Sequence, residues 1–194
     1  NVEQLEAAFA QCDNPAGFIF EPILGEGGVR PVHPAFARRA AELCAGAGVP
    51  LIADECQTGV GRTGTFLATE PLGVKADYVI LSKALGGGIA KISALLVRRE
   101  RYRDEFDLQH TSTFAADDFS CGIALKTLAL ADEALLADVR RKGTRILDGL
   151  RSLAAAHPGV IADARGRGLM IALEFCRMPR SSSFLDRKST RLNS

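Results

Sequence analysis

Two side chains in this sequence stand where a reaction centre would need them. Asp54 closes the apolar run Leu51-Ile52-Ala53 and is followed by a second carboxylate, Glu55. Lys83 follows Tyr78-Val79-Ile80-Leu81-Ser82 and precedes Ala84-Leu85-Gly86-Gly87-Gly88. Short apolar runs read as buried strands, and ligands of open α/β sheets gather beyond the carboxyl ends of such strands. The 29 residues from Asp54 to Lys83 suit a strand, a connection and the next strand. The two groups are therefore expected to hold one ligand between them.

The residues alone leave the chemistry open. A lysine beside a glycine triplet could bind phosphate, but here the glycines follow the lysine and lack the spacing of a P-loop. A buried lysine whose pKa is lowered by desolvation could instead attack a carbonyl as a Schiff-base nucleophile. An acid across the site would then suit the protonated ring nitrogen of pyridoxal phosphate. The plain alternative is a lysine snorkelling at a strand end.

The elements that must position these groups follow from periodicity. Val2, Leu5 and Phe9 share one face of a first helix, which Asp13-Asn14-Pro15 breaks. Gly17 to Phe20 reads as a strand, and Pro34 opens a helix that Gly46 and Gly48 end. With the strand through Ala53 this makes a parallel βαβ unit. Gln57 to Gly64 reads as a loop. Ile92 to Val97 is a further strand, reached from Lys83 without a helix and so expected antiparallel to its neighbour. Asp117 or Asp118 caps a helix running to about Ala131, and a long amphipathic helix spans about Glu133 to Ala156. Val160-Ile161 and Leu169 to Phe175 read as short strands joined by Arg165-Gly166-Arg167-Gly168. The expected organisation is an α/β unit over residues 1–132, the start of a smaller α+β domain over 133–176, and a disordered or non-native tail over 177–194.

Composition narrows the class. The 47% hydrophobic and 24% charged content is that of an ordinary globular chain, and a net charge of +1 argues for neither a nucleic-acid nor a membrane partner. No apolar run approaches membrane-spanning length, and no signal-peptide pattern opens the chain. Five scattered cysteines without a CxxC pair read as free thiols in a reducing compartment, the cytoplasm. Isolated histidines make a metal site unexpected.

Five blocks carry a resemblance: Glu21 to Gly28, Ile52 to Gly64, Leu81 to Gly88, His110 to Phe114, and Arg165 to Leu169. In order and spacing they are similar to the class III pyridoxal-phosphate aminotransferases. The resemblance implies a fold type I large domain, present in part, followed by a truncated small domain. It implies pyridoxal 5'-phosphate as cofactor, with Lys83 forming the Schiff base and shuttling the proton. Asp54 would pair with the pyridine nitrogen, Gln57 would bond the 3-hydroxyl side, and Cys56 would lie against the ring. Thr113, with Ser112 beside it, would reach the phosphate of the neighbouring subunit of a homodimer. Glu26 would sit at the substrate mouth. The implied reaction moves an amino group from a terminal amine or omega-amino acid, of putrescine or ornithine type, to a 2-oxo acid such as 2-oxoglutarate. A 2,1-aminomutase of the glutamate-1-semialdehyde type is the competing activity, against which Gln57 argues. A dimerising fragment without catalysis is the competing class.

Other charged residues have plainer expectations. Glu55 braces its loop, Arg62 ties down its own loop, and Arg165 and Arg167 are solvated turn charges. The chain also departs from the family pattern. Ala115 and Ala116 stand where glycines are usual, which costs of order 1 kcal/mol if either needs a positive φ. Lys91 stands where the family is apolar or has proline; it would either face a substrate channel or be solvated, and the solvated reading is the one expected. The family's N-terminal phosphate loop, its stacking aromatic and its C-terminal substrate arginine have no counterpart here, so the chain is expected not to turn over alone.

Overall fold

A computed structural model describes residues 1–109, 113 and 115–177. Ser112 and His110 therefore lie outside the described residues, as does the tail from residue 178.

Capping chemistry sets where the helices begin. In α1 (Val2–Gln11) the Asn1 side chain accepts from the Gln4 amide in a capping box. α2 (Pro34–Ala47) starts with proline at its first turn and stops at Gly48, whose left-handed φ of 69° closes the last turn. Gly46, expected to help end that helix, lies inside it. Asp117 caps α4 (Asp118–Leu130) and Asp132 caps α5 (Glu133–Ala156), each accepting an amide one turn on. Ahead of α4 lies a short α3 (Glu105–Gln109), which no periodicity in the sequence marks.

The main sheet has the order β1-β4-β5-β6, with β1 Phe18–Phe20, β4 Leu51–Asp54, β5 Tyr78–Leu81 and β6 Ala94–Val97. β1, β4 and β5 run parallel, and β6 returns antiparallel, as the missing crossover helix requires. Alternation along the strands decides which side is covered. Leu51 and Ala53 face α1 and α2, where Leu5, Phe20, Ala37, Ala40 and Cys44 join them in one core. A second core forms where Leu81 and Leu85 meet Val60 and Ala124 of α4. Asp77, just before β5, locks the sheet's entry: it accepts from the Leu51 amide at 2.9 Å and from Arg101 Nε at 3.2 Å. Burial raises its pKa, but those donors and the charges of Arg101 and Arg98 outweigh that and leave it lowered.

Two smaller pieces complete the frame. β2 (Ile23–Leu24) and β3 (Arg30–Pro31) pair antiparallel and bracket a loop that carries Glu26. β7 (Ile161–Arg167) and β8 (Met170–Phe175) form a hairpin packed on α5, with Leu136, Val139, Leu147, Ile161, Ala164 and Met170 buried. β7 runs through Arg165 and Gly166 to Arg167, so that stretch is strand and only Gly168-Leu169 turn. At this turn backbone meets backbone: a Cβ on Gly143 of α5 would lie 2.3 Å from the Gly168 carbonyl oxygen.

Candidate active site

Asp54 and Lys83 arrive at one end of the sheet because their strands are paired and parallel. Asp54 lies opposite Ile80, so Lys83 emerges three residues beyond that partner on the neighbouring strand. Adjacent strands stand about 4.8 Å apart. Asp54 Oδ1 accepts the Cys56 amide at 3.0 Å, which fixes the carboxylate over the start of the following loop. The Cys56 thiol registers both groups. Burial first, then the hydrogen bond and charge of Asp54, push it up to about 11, against the pull of the Lys83 cation. Cys56 is thus a neutral thiol at ordinary pH, as ring packing rather than nucleophilic chemistry requires.

Lys83 itself is exposed, where a buried lysine was the premise of the desolvation argument. Its backbone has a φ of 43°, a left-handed conformation that costs a residue with a Cβ of order 1 kcal/mol or more. The strain sits at the start of a tight turn, Lys83–Gly86, where the Leu85 amide bonds the Ser82 carbonyl at 2.9 Å.

Gln57 comes to the same end from the loop after β4. A Cβ on Gly25 would lie 1.8 Å from Gln57 Oε1, so the amide rests on a place only glycine leaves open. The Gly25 amide in turn donates to Glu21 Oε2 at 2.9 Å. Glu21, Gly25 and Gln57 therefore form one contact between the β2–β3 loop and the site. Glu26, next in the chain, is exposed at that loop. Thr113 is exposed too, and Ala116 has a φ of 55°, the conformation that a glycine there would take without strain.

Behind the site Glu55 is wholly buried, and its carboxylate is saturated by neutral donors. Oε2 accepts from Thr58 Oγ1 at 2.6 Å and the Ala68 amide at 2.9 Å. Oε1 accepts from the Thr69 amide at 2.8 Å and its hydroxyl at 2.9 Å. It ties the start of the loop between β4 and β5 to its middle, at Ala68 and Thr69, as its bracing reading expects.

The two hairpin arginines differ from the expected solvated charges. The side chain of Arg165 is only 14% exposed: Nε donates to the Gly28 carbonyl at 2.8 Å, and Nη1 pairs with Asp163 and Glu174. Arg167 Nη2 donates to the Ala68 carbonyl at 2.6 Å, and burial lowers its pKa against the charges of Glu55 and Glu70. Carbonyls left open by the loops at Gly28 and Ala68 need donors, and long guanidinium arms from β7 reach them. Arg62 keeps its side chain exposed, while its carbonyl accepts from the Leu169 amide at 3.0 Å. Nothing periodic in the sequence marked these contacts; the glycines at 25, 28 and 168, each pressed by another segment, were the available signal.

Lys91 is exposed, in line with the solvated expectation. It also lines a cavity of about 420 Å3 together with Ser82, Lys83, Ala90, Ile92 and Ser93.

A profile of the aminotransferase class-III family matches residues 1–190. Among solved structures, ornithine aminotransferase from Toxoplasma gondii ME49 superposes with a TM-score of 0.82 at 38% identity, covering 91% of this chain and 42% of that one. Acetylornithine aminotransferase from Elizabethkingia anophelis gives 0.83 at 34% identity, covering 94% and 46%. An amine transaminase from an uncultivated Pseudomonas species, in a PLP-bound form, gives 0.83 at 30% identity, covering 91% and 42%. The chain thus spans less than half the length of these structures.

Proposed function

The chain belongs to the aminotransferase class-III family, and on that premise we propose that it carries the lysine and the acid of a pyridoxal-phosphate site that moves an amino group to a 2-oxo acid. The observation that carries this reading is the placement of Asp54 and Lys83 at the carboxyl ends of paired parallel strands, with no ion pair to either among the described residues. The donor set fits the cofactor: an anchored carboxylate for a ring nitrogen, a lysine for an aldehyde, and, in the loop that follows Asp54, an amide for a ring hydroxyl.

When bound, pyridoxal phosphate supplies an aldehyde that condenses with amines and a protonated ring that draws electrons from the substrate's Cα. The roles of the chain's own groups follow. Asp54, its Oδ1 held by the Cys56 amide, keeps the ring nitrogen protonated by charge. Lys83 Nζ would hold the cofactor through its aldehyde carbon and, when freed, would move the proton as general base and acid. Gln57 orients the ring through its amide, and Cys56, a neutral thiol, packs against it. Thr113, with Ser112, serves the phosphate of a neighbouring subunit in a homodimer, and Glu26 stands at the substrate mouth. The likeness to ornithine and acetylornithine aminotransferases supports an omega-amino acid or terminal amine as donor, and the proposed acceptor is a 2-oxo acid such as 2-oxoglutarate. The scattered free cysteines support a cytoplasmic setting.

The test is covalent. Incubation with pyridoxal phosphate, borohydride reduction and peptide mass mapping is expected to place a pyridoxyl group on Lys83. Lys83→Ala should carry none on that peptide, and Asp54→Asn should shift the absorbance of the bound cofactor. Labelling spread over surface lysines, with Lys83 no more modified than the rest, refutes the assignment.

A further inference from the structure

The turns after β5 bring a second lysine to the hollow that Lys83 lines. Within eight residues the chain leaves Lys83, doubles back and delivers Lys91 to the same cavity of about 420 Å3. Gly87 and Gly88, with φ of 62° and 76°, make the reversal without the strain that Lys83 bears. Ile89 and Ala90 donate their amides to the Gly86 carbonyl at 3.0 and 2.9 Å, and Ser82 Oγ donates to the Ile92 carbonyl at 3.2 Å. These bonds close the loop and fix the backbone from which Lys91 springs. The residues lining this open hollow include two lysines and two serines, and no carboxylate. Neither lysine has an ion pair among the described residues.

We infer that Lys91 is a substrate-selecting residue of this pocket: it binds the carboxylate of an acidic substrate, and so favours oxo acids and amino-acid donors over simple diamines. The inference rests on the transamination reading and sharpens its substrate class. Transamination presents one pocket with two molecules in turn, and the pocket must take up the acceptor acid. A dicarboxylic oxo acid or an omega-amino acid brings an anion to an unpaired cation there. A diamine brings a second cation to a pocket that already holds Lys91, which disfavours it electrostatically. Lysine suits the task because its ammonium is a compact charge on a flexible stem, able to follow substrates of different length.

The experiment uses the whole chain and needs no turnover. Glutarate, a non-reacting dicarboxylate, inorganic phosphate and 1,4-diaminobutane are titrated against wild type, Lys91→Gln and Lys91→Arg, read by amide chemical shifts. Protection of the two lysines from acetylation gives a second readout, and pyridoxyl labelling of Lys83 is measured on the same samples. Glutarate affinity is expected to fall about 10-fold, or about 1.4 kcal/mol, in Lys91→Gln and to be retained in Lys91→Arg. Diamine binding should not weaken in Lys91→Gln, and glutarate should shield Lys91 from acetylation. Lys91 is exposed on a loop, so both variants should keep the wild-type circular dichroism. Equal glutarate affinity in wild type and Lys91→Gln, with Lys83 still labelled in both, overturns the inference and leaves the transaminase reading standing. A site that takes phosphate but not glutarate overturns it as well. Absence of label on Lys83 in the wild type brings down the transaminase reading and the inference with it.

Discussion

Glu55→Gln should be costly although it changes one atom. The wild-type carboxylate receives four donors, two of them backbone amides at Ala68 and Thr69. Either orientation of a glutamine sets its NH2 against one of those amides. A threonine hydroxyl can rotate to accept, but a backbone N–H cannot. One orphaned, fully buried amide costs about 1–3 kcal/mol, and the surviving bonds lose their charge assistance, which roughly halves them. The Glu55 charge also favours the cation of Arg167, whose own pKa burial lowers. Together the loss should be about 3 kcal/mol. With a slope of about 2 kcal/mol/M, the urea midpoint should move down by about 1.5 M. Thr58→Val removes one donor from the same carboxylate and should cost about 1 kcal/mol. In a double-mutant cycle the two changes should couple by at least about 0.5 kcal/mol, because they share one oxygen pair. A Glu55→Gln variant within about 0.5 kcal/mol of wild type would refute the claim that this loop hangs on a charged acceptor.

Three further outcomes follow from the geometry. Ala116→Gly should raise stability by about 1 kcal/mol in urea unfolding, since the φ of 55° is strained for alanine and free for glycine; no gain would show that the strain is relieved elsewhere. Gly143→Ala should destabilise by about 1–3 kcal/mol or more, because its Cβ would sit 2.3 Å from a backbone oxygen that cannot step aside, whereas Gly149→Ala on the same helix, with open space around it, should stabilise. Cys56, raised from 9.0 to about 11, holds its proton more tightly folded than unfolded. Its contribution to stability is therefore complete below pH 9 and is lost as pH rises through about 11. Alkylation by iodoacetamide, mapped by mass spectrometry, should be slow at pH 8 and accelerate toward pH 11, and a Cys56 rate matching that of Cys12 would contradict the shift.

The sequence by itself determined what depends on neighbours in the chain. Asn1, Asp117 and Asp132 mark helix starts because a cap accepts amides within one turn, and Pro34 marks one because its fixed φ suits a first turn. The strand–helix–strand order dictates parallel pairing of β1 with β4, and the helix-free return after Lys83 dictates an antiparallel β6. The blocks around Asp54 and Lys83 identified the family for the same reason: they are local runs read in order. Tertiary structure alone decided what the charged side chains meet. Arg165 answers a carbonyl 137 residues away at Gly28, and Arg167 one 99 residues away at Ala68. Glu55 finds two of its amides only because the loop between β4 and β5 folds back. Lys83 stands exposed in a strained turn, and Lys91 shares its cavity, because the glycines between them reverse the chain. A charge carries no periodic signature of burial; its environment is set by which distant backbone groups lack partners, and only the folded chain makes that assignment.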